Sequence, residues 1–146
     1  MQSIFSLLVL VAGAALAVQP AINATAALRM GHPLWAGMVS AAVSCLTLAA
    51  IIAALRLPLP TLGALRGFPP WLFCGGLIGA FMLMATLLAA PRLGVATTAA
   101  MVIAGQLAAA LAVDQFGWFG MPQHPISGPR LLGGLFLFAG TLLIRA

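Results

Sequence analysis

Long apolar stretches alternate with short polar interruptions along the chain. Five of these stretches carry no charge over about the length that a helix needs to cross the hydrocarbon core of a bilayer. They predict transmembrane helices at residues 3–28, 34–55, 71–90, 95–113 and 131–144. The last one is short, about 21 Å of helix. We expect the arginines at its two ends to reach outward and the membrane to thin around it.

Composition supports the same fold class. The 146 residues are 64% hydrophobic and only 5% charged, whereas a soluble domain has about a quarter of its residues charged. The chain is therefore predicted to be an all-α, polytopic membrane protein with a single transmembrane domain over residues 1–146. Residues 1–21 resemble a secretory signal, but they lack a basic start and their apolar run is too long, so we interpret them as part of a retained first helix.

Tryptophans mark the ends of the predicted helices. Trp35, Trp71 and Trp118 all lie at helix ends or in loops. Amphipathic rings anchor at the level of the lipid headgroups, so we expect these three to anchor the chain there.

The arginines divide evenly between the two predicted sides of the membrane. The chain has six arginines and no lysine, and no two arginines are adjacent, which argues against a nucleic-acid surface. Five spans place Arg56, Arg66 and Arg130 on one side and Arg29, Arg92 and Arg145 on the other. An excess of arginine and lysine on one side of the membrane normally fixes the orientation of a membrane protein, and this chain has no such excess. We therefore expect insertion both ways up and an antiparallel dimer that reproduces an inverted repeat. The alternative is that a partner chain or the N-terminal amine fixes one orientation.

Amide side chains inside the predicted helices are the candidate substrate-binding residues. Gln19 and Asn23 stand four residues apart, hence on one helix face, and Pro20 between them predicts a kink. Gln106, near the middle of the fourth helix, is the best candidate to face them across a cavity. Polar groups at membrane depth are functional hypotheses by default. The alternative is that the amides only bond the backbone or a neighbouring helix.

Other polar and small residues have structural interpretations. Asp114, the only acid, ends the fourth predicted helix, where it could pair with an arginine, cap the loop, or bind a cation or proton. Gly75 and Gly79 form a GxxxG pattern that predicts close helix packing. The second helix carries hydroxyls that we expect to bond between helices, at Ser40, Ser44 and Thr47.

Signatures of enzymes and metal sites are missing from the sequence. There is no nucleophile with a nearby base, no metal-ligand spacing, and no phosphate-binding loop followed by lysine. Cys45 and Cys74 lie in apolar stretches and are interpreted as packing residues, while His32 and His124 are isolated in loops. We therefore expect no enzymatic activity, no metal and no cofactor.

Short segments in order along the chain resemble the YdcZ-like family of the drug/metabolite transporter superfamily. The segments are 19–24 (QPAINA), residue 71 with 75–80 (GGLIGA), 91–94 (PRLG), 105–107 (GQL), 114–117 (DQFG) and 130–133 (RLLG). The resemblance implies a five-helix, half-size transporter of a bacterial-type inner membrane. It would work as an antiparallel pair, either a homodimer or two related subunits.

The chain departs from the small multidrug resistance proteins, which are relatives of that family. Those proteins use an acidic residue within the first helix, where this chain has Gln19 and Asn23. The resemblance therefore names neither the substrate nor a coupling ion.

The leading hypothesis is a secondary transporter for a small solute, with Gln19, Asn23 and Gln106 of both subunits at the dimer interface. Two alternatives stay open. One is a non-transporting membrane subunit or scaffold whose interior is dry, and the other is a narrow ion channel.

Overall fold

The computed structural model describes residues 2–61, 63 and 66–146, and its helices account for most of that chain. Five helices of the described residues are long and apolar enough to cross a membrane. They are α1 (Gln2–Met30), α2 (Pro33–Ala54), α3 (Cys74–Leu93), α4 (Val95–Phe116) and α5 (Gly128–Arg145). For the described residues, the prediction of an all-helical protein with five helices able to span a membrane is therefore confirmed.

The contacts of the chain fall into two units, Met1–Pro91 and Arg92–Ala146. In the first unit, α1 packs against α2. The two helices are joined by a tight turn because Gly31 adopts a positive φ of 74° and Pro33 fits the first turn of α2. His32 caps α2, since its Nδ1 accepts a hydrogen bond of 3.2 Å from the backbone N–H of Leu34.

The start of α2 also packs against α3. A Cβ added to Gly37 would lie 3.8 Å from Met84 Cε and 3.9 Å from Leu83 Cδ2. Among the described residues, the buried hydrophobic side chains are Ala36, Leu87 and Ala90. This core is small, so most of the apolar surface faces outward, as expected of helices that lipid or another chain surrounds.

The second unit is built by α4 and α5. The buried Thr141 hydroxyl donates to the Ala100 carbonyl at 3.3 Å and to the Leu137 carbonyl of its own helix at 2.9 Å. Gly134 of α5 faces α4, since an added Cβ would stand at van der Waals distance, 3.6 Å, from Leu111 Cδ1. A shared hydroxyl and a small residue are the usual means by which helices associate in lipid.

Four helices extend beyond the polar residues at which the sequence suggested that they end or begin. α1 runs through Arg29 to Met30, α3 runs through Pro91 to Leu93, α4 runs past Asp114 to Phe116, and α5 starts at Gly128, before Arg130. The proline of α5 stands in its first turn, where it removes no helical hydrogen bond. With 18 residues, α5 is about 27 Å long, so the fifth span is less short than predicted.

The segment between α2 and α3 was predicted to be a loop from residue 56 to residue 70. Leu62, Ala64 and Leu65 of this segment lie outside the described residues. Arg56 follows α2 with a φ of 50°, and a short 3-10 helix, Pro70–Phe73, leads into α3.

Candidate functional site

Two amide side chains of α1 converge on one hydroxyl of α2. Gln19 Nε2 and Asn23 Nδ2 each donate a hydrogen bond to Ser40 Oγ, and both distances are 3.4 Å. These bonds are long compared with the usual length of about 2.9–3.0 Å. We call Gln19, Asn23 and Ser40 the amide cluster.

The amide cluster occupies the part of α1 that is covered by the rest of the protein. Asn23 is only 6% exposed, and together with Pro20 it forms the buried portion of α1, whereas Gln19 and Ser40 are half-buried. The N-terminal half of α1 is exposed on all sides, with Phe5 61% and Leu10 72% accessible. The polar side chains of α1 therefore lie in the same part of the helix that packs against the rest of the protein.

Pro20 changes the backbone within the cluster without ending the helix. α1 continues to Met30. A proline has no N–H, so it cannot donate the helical hydrogen bond that the carbonyl of Leu16 would otherwise accept. Leu16, Gln19 and Asn23 are spaced by three and four residues, which places all three on one face. The proline thus adds a carbonyl oxygen to the polar face of α1.

Ser40 is the hydroxyl that makes the predicted interhelical bond. For Ser44 and Thr47 that prediction is wrong, because their hydroxyls donate to their own helix, to Ser40 O at 3.0 Å and to Val43 O at 2.8 Å. A hydroxyl that bonds the carbonyl four residues earlier needs no neighbour. Ser40 differs because two amide donors face it. Residue type alone does not distinguish Ser40 from Ser44 and Thr47. Ser40 could have been identified only by asking which hydroxyl of α2 faces the amides of α1.

The carbonyl oxygens of the two amides are left for a ligand. Gln19 Oε1 and Asn23 Oδ1 accept no hydrogen bond from the described residues. Among those residues no fully buried side-chain nitrogen or oxygen lacks a partner. Both oxygens must therefore lie at an accessible edge of the amide cluster.

Gln106 lies in the other unit, on α4, and its side chain is exposed. The structure brings Gln19 and Asn23 together within one unit, whereas Gln106 belongs to the other unit. A site that combines all three amides stays a prediction.

Asp114 lies beside an arginine. Asp114 Oδ2 is 3.3 Å from Arg130 Nη1, and both side chains are partly exposed, at 33% and 43%. The pair joins the last turn of α4 to the first turn of α5. Charged groups that are this exposed stabilise a fold only weakly. A role of Asp114 in ion coupling stays a prediction.

Backbone hydrogen bonds hold the loop that the Asp114–Arg130 pair closes. The His124 N–H donates to Asp114 O at 2.9 Å, the Ile126 N–H donates to Gln115 Oε1 at 2.8 Å, and Arg130 Nη1 donates to His124 O at 3.1 Å. Gly117 starts the loop in the left-handed region, with a φ of 63°, and a Cβ there would lie 2.7 Å from Gln123 Cγ. The loop between α4 and α5 is therefore held together by hydrogen bonds, although most of it has no regular secondary structure.

Residues with metal or redox chemistry are dispersed over the described chain. It contains no group of three or more His, Cys, Asp or Glu that could hold a metal ion, and Cys45 and Cys74 are free and exposed. The imidazole of His32 caps α2, and the backbone carbonyl of His124 accepts a hydrogen bond in the loop after α4.

The predicted packing glycines are open within the single chain. No described atom comes within 4 Å of a Cβ added at Gly75 or Gly79. Among the described helix glycines, a Cβ would instead meet another helix at ordinary van der Waals distance at Gly37 and Gly134, which the sequence pattern did not single out. Packing at Gly75 and Gly79 stays a prediction.

Comparison with known proteins indicates the same class. Residues 4–143 match the family described as "Putative inner membrane exporter, YdcZ". The curated "Inner membrane protein YdcZ" of Escherichia coli strain K12 is 34% identical over 74 residues, which are 51% of this chain and 49% of that protein. The match thus spans about half the length of that relative. No solved structure matches the chain.

Proposed function

Because the chain belongs to the YdcZ family, we propose that it is a secondary transporter for a small solute and that it works as an antiparallel pair. The chain is a multi-pass inner membrane protein, and five helices of its described residues are long and apolar enough to cross a membrane. The family description as an exporter supports transport as the activity. The solute, the pairing and the site are our proposals.

The observation that carries the proposal is the buried polar group of α1. Asn23 is 6% exposed within a helix that crosses the bilayer, and its amide has a carbonyl oxygen to offer. Polar side chains within a membrane-spanning segment are costly to place there and are functional hypotheses by default. A chain that needed only packing would use an apolar residue there, so we place the solute site at the amide cluster. Gln106 is proposed as a further contributor.

The proposed pairing rests on charge and on exposed surface. Three arginines on each side give the insertion machinery no preference between orientations. The first half of α1 presents apolar side chains on all faces, and the core of the single chain is small. Two oppositely inserted copies would supply the inverted symmetry that transporters with internal repeats encode in one chain. In such a pair, the inward-open and outward-open states would be related by the twofold axis.

Flux through the purified protein tests the function. Proteoliposomes should exchange solute faster than protein-free vesicles, and Asn23→Ala and Gln19→Ala should abolish most of that exchange. Thr25→Ala is the matched control, because the exposed Thr25 hydroxyl only bonds its own helix, at Ala21 O. Equal flux in Asn23→Ala, Gln19→Ala, Gln106→Ala and wild type would remove this site.

Thiol labelling separates a transporter from a scaffold, whose amides would bond only within the protein. In a background without Cys45 and Cys74, a cysteine at Ala27 lies one turn beyond Asn23 on the same face. A membrane-impermeant thiol reagent should modify it, whereas a cysteine at Leu10 should stay unmodified as a lipid-facing control. A protected Ala27→Cys would favour the scaffold. An ion channel would instead show flux far above the turnover of a carrier.

A further inference from the structure

The hydrogen bonds of the amide cluster point to the polarity of the solute. We infer that the cluster binds a solute through hydrogen-bond donors on nitrogen, such as a primary ammonium group, rather than through an anionic group. This inference rests on the proposed function and adds the chemical class of its substrate.

The first step is the use of the amide groups. A primary amide offers two N–H donors and one carbonyl oxygen with two lone pairs. Gln19 and Asn23 each direct their nitrogen at Ser40 Oγ, so one N–H of each is used. Their carbonyl oxygens accept nothing within the described chain. The two carbonyl oxygens thus have four unused lone pairs. The unused donors are fewer, one N–H on each amide, and they sit on nitrogens that already face α2.

The second step is the contribution of the backbone. Pro20 leaves the Leu16 carbonyl without its helical donor, and that carbonyl lies on the same face as both amides. Three acceptor oxygens therefore follow one another along about two turns of α1. A row of hydrogen-bond acceptor oxygens is suited to a solute group that carries several N–H donors.

The third step is charge. No Lys, Arg or His occurs in α1 before Arg29, which stands six residues beyond Asn23, about 9 Å along the helix. A desolvated anion needs positive charge or several convergent donors, and the polar face of α1 supplies neither. A cation needs acceptor oxygens, which the face does supply. The absence of an acid makes binding weaker than an ion pair would be, which suits a site that must release its solute.

Solute counterflow tests the inference without knowledge of the coupling ion. Proteoliposomes are preloaded with unlabelled solute and diluted into a trace of the same labelled solute. The probes are ethanolamine, choline and glycolate. Choline keeps the skeleton and positive charge of ethanolamine but has no N–H, and glycolate is a small anion of similar size. We expect accumulation of ethanolamine at least about tenfold above that of choline or glycolate, because a site built to bond donors rejects an analogue that lacks them.

Substitutions at Asn23 test whether the protein must supply an acceptor oxygen at this position. Asn23→Asp keeps an acceptor oxygen and should retain or raise ethanolamine counterflow, whereas Asn23→Leu should lower it by about tenfold or more. Gln19→Glu and Gln19→Leu repeat the comparison in case a change at the buried position prevents folding. A size-exclusion profile and the thermal stability of each variant confirm that it is folded.

Several results would overturn the inference. They are choline counterflow that equals that of ethanolamine, a preference for glycolate, loss of ethanolamine counterflow in both acidic variants, or no counterflow of ethanolamine by the wild type. Thiol labelling at Ala27→Cys then decides the proposed function independently, because a water-accessible position there supports a transporter of another solute class.

Discussion

The carboxylate of Asp114 lies 3.3 Å from the guanidinium of Arg130, and this pair closes the loop between α4 and α5 at its base. The loop residues reinforce the pair, since Arg130 also donates to His124 O and the His124 N–H donates to Asp114 O. The only acid of the chain thus contributes to a local structure at the end of two helices.

We expect the Asp114–Arg130 pair to contribute little to stability. Both side chains are substantially exposed, so the coupling energy should be at most about 1 kcal/mol and should fall with added salt. A double-mutant cycle of Asp114→Ala and Arg130→Ala, read by detergent-induced unfolding, measures this coupling. If Asp114 instead couples ions, Asp114→Asn would abolish transport while leaving the unfolding midpoint unchanged.

Ser40 and Ser44 form a natural matched pair on α2. Ser40 accepts from two amides of α1, whereas Ser44 bonds only its own helix. Interhelical hydrogen bonds in membranes average about 0.6 kcal/mol, so Ser40→Ala should cost about 1 kcal/mol of unfolding free energy. It should also lower solute exchange, because the amides lose the group that orients them. Ser44→Ala should change neither quantity, and similar losses in both variants would contradict the importance of the amide cluster.

The sequence predicts the number of helices better than it predicts their ends or the partners of their side chains. Helix number and type follow from long apolar runs, because only a helix satisfies its backbone in lipid. Helix ends are less predictable, since Asp114 and Arg130 lie within helices and pair with each other. Side-chain partners were the hardest to predict. The face shared by Gln19 and Asn23 follows from spacing, but the partner Ser40 depends on how α2 is rotated against α1.

Aromatic residues of the loop after α4 are expected to lie among the lipid headgroups. Phe116 and Trp118 stack with ring centroids 5.3 Å apart, and Trp118 is 51% exposed at the end of a membrane-spanning helix. With Trp35 and Trp71 replaced by Phe, the fluorescence of Trp118 should be quenched more by lipids brominated near the headgroup than by lipids brominated deep in the chain. Strong quenching by aqueous acrylamide with no lipid effect would place the loop in water instead.

Removal of single arginines should bias orientation in opposite directions. Arg29 and Arg56 lie on opposite sides in a five-span topology, and the C-terminus is on the side of Arg29. Because the side richer in arginine stays cytoplasmic, Arg29→Gln should move the tail to the periplasm and Arg56→Gln should keep it in the cytoplasm. Alkaline phosphatase and a fluorescent protein, each fused after Ala146, report the two compartments. Wild type should be active with both. One compartment for all three proteins, with no oppositely oriented companion chain, would contradict the antiparallel pair.

Two glycines should separate packing within the chain from packing between chains. The Cα of Gly37 faces Leu83 and Met84 of α3, so Gly37→Leu would overfill that contact and cost about 1–3 kcal/mol of unfolding free energy. Gly79 meets no described atom within 4 Å of an added Cβ. If the surface at Gly75 and Gly79 packs against a second copy, Gly79→Leu should lower the dimer fraction in lipid, measured by single-molecule photobleaching, while the unfolding midpoint of the monomer is unchanged. An unaltered dimer fraction would mean that this surface faces lipid, and the contact between the two copies would then have to be sought elsewhere, beginning with the exposed first half of α1.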